Sequence, residues 1–106
     1  MTVVSIYATF ANAEEAARIA RILVEERLVA CANILGPCRS IYRWEGEVQE
    51  GEEIAAIFKT SGSAMTEAAE RIAELHSYDV PAITATTAGW APGSFADWVH
   101  AETHKR

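Results

Sequence analysis

The chain has 106 residues, 50% of them hydrophobic, which suits one globular domain with a modest core and leaves no room for two. Its formal net charge of -6 argues against a broad phosphate-binding surface and so against nucleic acid as a partner. No apolar run approaches the roughly 20 residues of a membrane span, and Met1-Thr2-Val3-Val4 lacks the basic region of a signal peptide, so a soluble, cytoplasmic protein without membrane attachment is expected.

Val3 to Phe10 is a β-branched and aromatic run with apolar residues at both parities, which predicts a buried interior strand. Asn12 is a good helix N-cap and Glu15 stands three residues on, a capping-box pattern, while Glu14 and Glu15 complement the helix dipole. Ala16, Ile19, Ala20 and Leu23 then repeat at helical spacing, and Arg27 is expected to close the last turn. Leu28 to Leu35 opens the next strand.

From Cys31 to Ser61 the pattern is that of one very long β-hairpin turning at Gly46. Ser40, Tyr42 and Trp44 alternate with Arg39, Ile41, Arg43 and Glu45 on the first arm, and Ile54, Ala56, Phe58 and Thr60 alternate with Ala55, Ile57 and Lys59 on the second. Gly46 supplies positive φ for a tight two-residue turn, read either as Glu45-Gly46 or as Gly46-Glu47. An arm of roughly fifteen residues spans on the order of 50 Å, whereas a domain of about a hundred residues is roughly 35 Å across. The ribbon therefore overshoots its own domain, even with bulges or bends at Gly36-Pro37 and Gly51. An isolated two-stranded ribbon is marginal in water, so its strands and aromatic residues are expected to meet neighbouring copies in a closed homo-oligomer.

After Gly62, Ser63 is placed to cap a second helix bearing Met65, Ala69, Ile72 and Ala73, with His76 at its end. Tyr78-Asp79-Val80-Pro81 connects to a short strand over Ala82 to Thr87. Gly89, Pro92 and Gly93 make a loop around Trp90, and Ser94 with Asp97 starts a final helix reaching about His104. The order is βαββαβ plus a C-terminal helix, an α+β fold of ferredoxin-like type with a long protruding β-hairpin.

Four ordered stretches, Leu28-Val29-Ala30-Cys31-Ala32-Asn33-Ile34, Ser40-Ile41-Tyr42-Arg43-Trp44-Glu45-Gly46, Lys59-Thr60 and Leu75-His76-Ser77-Tyr78-Asp79-Val80-Pro81, followed by Trp98, closely resemble the CutA family of divalent-cation tolerance proteins. The resemblance covers nearly the whole chain. It implies a trimer of ferredoxin-like subunits, similar in architecture to nitrogen-regulatory PII proteins, associated with tolerance to copper and other divalent ions and without an established enzymatic activity. The family's usual His-Pro-Tyr-Glu is His76-Ser77-Tyr78-Asp79 here, and Ala8 stands where some relatives carry a cysteine.

The candidate metal ligands are His76, Asp79 and Cys31. A neutral imidazole at His76 suits Cu(II) or Zn(II); it equally suits a histidine that hydrogen-bonds the last carbonyls of its helix. Asp79 adds an oxygen or caps a turn, and Cys31 fits a small buried hydrophobe as well as a ligand. Cys38 is expected near the Gly36-Pro37 bend, more exposed than Cys31. His100 and His104 share a helix face, but Ala101 stands where the zincin pattern needs glutamate. Tyr42, Trp44, Lys59, Tyr78 and Trp98 form a second constellation, read as anchors of an oligomer interface or as the lining of an inter-subunit cleft with Lys59 as its cation. Without a nucleophile elbow, phosphate loop or dinucleotide fingerprint, an enzyme is not expected. The favoured reading is a homotrimer that binds Cu(II) or another divalent cation weakly, with no obligatory cofactor. Behind it stand a PII-like sensor of a small anionic metabolite and a passive scaffold.

Overall fold

A computed structural model describes residues 2–103. Among them the elements are β1 (Val3–Phe10), α1 (Ala13–Glu25), β2 (Cys31–Trp44), β3 (Glu47–Ser61), α2 (Met65–Leu75), β4 (Ile83–Thr87) and α3 (Gly93–Glu102). The strands form a 4-stranded sheet in the order β2-β3-β1-β4, antiparallel throughout, which is the ferredoxin-like arrangement with α3 added. No helix among the described residues is long and apolar enough to cross a membrane.

β1 is interior, as its apolar run predicts, paired to β3 on one side and β4 on the other. Alternation sends Val4, Ile6, Ala8 and Phe10 to one face of the sheet, opposite Thr60, Phe58, Ala56 and Ile54 of β3. That face packs on Ala16, Ile19 and Leu23 of α1 and Ala68 and Ile72 of α2, forming the core. On the opposite face α3 covers only one end. There the Thr103 hydroxyl lies 3.0 Å from Ser61 Oγ, and Ser61 and Val3 are buried.

Helix ends differ from expectation in instructive ways. Asn12 caps α1 by accepting from the Glu15 N–H at 2.8 Å, but the Glu15 carboxylate does not close the box; it turns to Ser77. α1 stops at Glu25, so Arg27 lies past the helix, at φ 63. Its N–H reaches Val24 O and that of Leu28 reaches Leu23 O, both at 3.0 Å, the paired bonds of a Schellman stop. Arg27 then donates through Nη2 to Ala101 O at 3.0 Å, tying this turn to α3. Ser63 does not cap α2, which has Ala64 at its N-cap, and Ser94 does not cap α3, which follows Pro92. In α2 it is Ala68 and Ile72 that are buried, while Ala73 is exposed. His104 lies outside the described residues.

α1 and α2 are clamped at the surface by Arg71, whose Nε and Nη2 donate to the two Glu26 oxygens at 2.9 Å each and whose Nη1 reaches Glu74 at 2.9 Å. Hydrogen bonds from Arg71, aided by its charge, hold the Glu26 carboxyl below its ordinary value. A depressed folded pKa contributes stability that is complete above the ordinary carboxylate pKa and lost as pH falls through the depressed one. Arg71→Ala should therefore return the Glu26 titration, followed by carboxyl-carbon NMR, to the ordinary carboxylate range, and an unmoved Glu26 would assign the depression to another cause.

The ribbon overshoots as its length requires. β1 ends opposite Ile54, so beyond that point β2 and β3 have only each other, and every residue from 41 to 52 is exposed. The molecule measures 44 × 26 × 21 Å. Trp44 pairs with Glu47 across a turn whose central residues Glu45 and Gly46 both have positive φ, 52 and 82, so the turn is the Glu-Gly choice of type I′. The expected interruption near Gly36 is present: the register shifts between Ile34 and Gly36, leaving Leu35 as the extra residue of a bulge, with Gly36 at φ 100. The one expected at Gly51 is not, since Gly51 pairs with Ser40 in an unbroken ladder.

Candidate functional site

Where the ribbon leaves the domain, the segment after α2 folds back beside it, anchored by His76. The His76 side chain is fully buried. Its Nε2 lies 2.8 Å from Thr9 O and its Nδ1 accepts the Tyr78 N–H at 3.1 Å. A carbonyl only accepts, so Nε2 carries the proton and the ring is a neutral imidazole with both nitrogens engaged. It stacks on Phe10 at 4.8 Å and 14° and meets Tyr78 at 4.7 Å and 50°. Beside it the buried Glu15 carboxylate, 3.7 Å from Nδ1, accepts from the Ser77 N–H at 2.8 Å and the Ser77 hydroxyl at 2.9 Å. Ser77, which departs from the proline of the resembling family, supplies two donors that a proline lacks.

Tyr78 carries this arrangement outward. Its hydroxyl donates to Glu53 Oε2 at 2.7 Å, and the Ser40 hydroxyl donates to Glu53 Oε1. Burial first, and then the Glu53 carboxylate that its proton serves, push the Tyr78 phenol above its ordinary pKa. Together these groups wall a cleft of about 840 Å³ between the base of the ribbon and the connector to β4. Thr9, Arg39, Ile41, Tyr42, Arg43, Trp44, Asp79 and Val80 also line it. A smaller hollow of about 510 Å³ lies over Arg71 and the acidic residues around it, Glu26 and Glu74 among them.

The residues singled out from the sequence are thus partly gathered and partly dispersed. Tyr42, Trp44 and Tyr78 share the cleft within one chain. Lys59 does not line it: it is six residues along β3 from Glu53, about 20 Å at strand rise, and stands between Cys31 and Ser5 on neighbouring strands. Within one chain, then, Lys59 is not a cation of this cleft. Trp98 lies on α3 beside Phe95, at 5.9 Å, and is also outside. Among the metal candidates, Asp79 is exposed at the cleft, whereas His76 has neither nitrogen free. Cys31 is half-buried beside Lys59; burial pushes its thiol up, against the pull of the Lys59 ammonium. Cys38 is half-buried too, its Sγ 3.9 Å from Ser40 Oγ. His100 Nε2 lies 3.0 Å from Thr2 O. No three His, Cys, Asp or Glu side chains among the described residues come together as a metal site.

Glu53 and Ser40 are the site residues that the sequence did not single out. Their meeting depends on the strand register Cys38↔Glu53, which the bulge at Leu35 sets.

The family model described as CutA1 divalent ion tolerance protein matches residues 4–102. The chain is 42% identical over 100 residues to the divalent-cation tolerance protein CutA of Pyrococcus horikoshii, covering 94% of this chain and 97% of that one. It superimposes on the crystal structure of CutA1 from Oryza sativa with a TM-score of 0.94 at 31% identity, covering 100% of this chain and 97% of that one. The structure of the periplasmic divalent cation tolerance protein CutA from Archaeoglobus fulgidus aligns with a TM-score of 0.92 at 35% identity, covering 96% and 99%. Likeness at this level extends from β1 to the end of α3 and includes the ribbon, so the chain belongs to the CutA1 family of divalent ion tolerance proteins.

Proposed function

We propose that this protein acts in divalent-cation tolerance as a cytoplasmic homotrimer that binds Cu(II), or another divalent cation, weakly and performs no bond chemistry. The observation that carries the reading is the ribbon: residues 41–52 are all exposed, and Ile41, Tyr42, Trp44 and Val48 among them are large apolar side chains with no core to enter. Such side chains on a two-stranded projection fit burial against sister chains. The count of three is the one the family resemblance implies. Free Cys31 and Cys38 suit a reducing compartment, although the Archaeoglobus relative is named periplasmic.

Weak affinity follows from the donors. Asp79 is open, but His76 must surrender a hydrogen bond to ligate, and burial raises the Cys31 thiol pKa, which disfavours the thiolate that would ligate. A fuller ligand set then comes from more than one chain, with Asp79 as the accessible donor. The test is calorimetry with Cu(II) and Zn(II) on protein whose assembly mass has been measured. A mass three times that of the chain, and a weak isotherm lost in Asp79→Asn, are expected. A monomer sinks the assembly, and equal affinity in Asp79→Asn sinks the donor.

A further inference from the structure

We propose, on the footing of the assembled form above, that Tyr78 and Glu53 are positioning residues: together they aim the ribbon at a second copy of this chain. Support for the ribbon falls away at one place. β1 ends opposite Ile54, so from Glu53 outward β3 is paired with β2 alone. The register break between the two arms, at Leu35 and Gly36, lies beside Ala55 and Ala56, next to that point. A bulge bends and twists its strand, and Gly36 stands at φ 100, so the base of the ribbon is where its direction is set. Over the stretch from Glu53 to Gly46 a tilt of about 10° carries the tip about 4 Å sideways, more than the rise of one strand residue.

A single side-chain tie crosses this base. Among the described residues, the hydrogen bond from the Tyr78 hydroxyl to Glu53 Oε2, at 2.7 Å, is the only side-chain hydrogen bond or ion pair joining residues 38–53 to the rest of the chain; the others there stay within the ribbon. Both of its ends are built in. On the ribbon side the Ser40 hydroxyl donates to the other Glu53 oxygen, so one carboxylate gathers both arms. On the domain side the Tyr78 N–H is held by His76 Nδ1 and the Tyr78 ring lies against the His76 ring. That imidazole is stacked on Phe10 and bonded to Thr9 O, the last two residues of β1. The contacts therefore carry the rigidity of the sheet onto the ribbon at the point where β1 no longer reaches it. A ribbon held in one direction before sister chains arrive lowers the ordering cost of association, because Ile41, Tyr42, Trp44 and Val48 are already presented.

The test is subunit exchange between unlabelled and nitrogen-15-labelled protein, followed by native mass spectrometry at a temperature where the wild type exchanges within hours. Tyr78→Phe keeps the ring on His76 and removes only the hydroxyl; it should exchange subunits roughly tenfold faster than the wild type. Glu53→Ala should do the same, and the double variant should be no faster than either single one, because both remove the same tie. Amide hydrogen exchange in Tyr78→Phe should quicken over residues 47–52 and stay unchanged in β1. A monomeric wild type removes the assembled form, and this proposal with it. An assembled wild type whose Tyr78→Phe variant exchanges no faster overturns the aiming role alone. So do effects that add in the double variant, which would set the hydroxyl directly against a sister chain. Faster amide exchange in β1 overturns it as well, by making the pair a support of the whole fold.

Discussion

Phe10→Ala is expected to lower the unfolding free energy by about 3–5 kcal/mol, the range for removing a fully buried phenylalanine from a packed core. Phe10 has no exposed surface, sits at the last paired position of β1 opposite Ile54, and meets Phe58 at a centroid distance of 6.2 Å. The cavity would open between two groups that cannot easily move together, because Phe58 is held in β3 and the His76 ring is hydrogen-bonded through both nitrogens. The consequence reaches beyond the core: without the stacked ring, the wall formed by His76 and Tyr78 loses its backing. Guanidinium unfolding at fixed protein concentration measures the loss, and a change below about 1 kcal/mol would show that the site collapses without penalty.

The second large effect is expected at His76→Leu, about 2–4 kcal/mol. Leucine fills most of the volume and keeps the contact with Phe10, so packing is not the main loss. What remains is the Thr9 carbonyl and the Tyr78 N–H, each stripped of its partner, and an unsatisfied buried polar group costs about 1–3 kcal/mol. His76→Gln, which keeps one polar contact within reach, should lose less. If leucine and glutamine cost the same, the two hydrogen bonds are not what secures this residue. A metal-binding role predicts a different pattern, in which both variants fold as the wild type does and differ only in ion affinity.

The long-range architecture was readable because it rests on periodicity. Val3–Phe10, the α1 stripe and the alternating arms each follow one simple period, and the βαββαβ order leaves few ways to build a sheet. The overshoot of the ribbon could be read from residue count alone. Local polar chemistry was less legible because its partners lie far apart in sequence. Glu15 looked like half of a capping box, but Ser77, 62 residues on, offers it two donors and outcompetes the Asn12 backbone. His76 was correctly placed at the end of α2, yet its engagement with Thr9, 67 residues away, needed the packed sheet to be seen. Glu53 was hidden for a subtler reason. Strict alternation carried through from Ala32 and Ile34 would keep Tyr42 and Trp44 on the helix-packed face, and the extra residue at Leu35 exchanges the two sides.

β2 closes one side of the sheet, so along its outer rim a row of main-chain donors and acceptors meets no strand among the described residues. A rim of this length is a template on which foreign strands could grow into fibres. Two features of the arm act as guards. Pro37 interrupts the row of donors, and Arg39 and Arg43 set like charges against any copy that stacks in parallel register. The rim can thus serve a finite assembly while resisting an endless one.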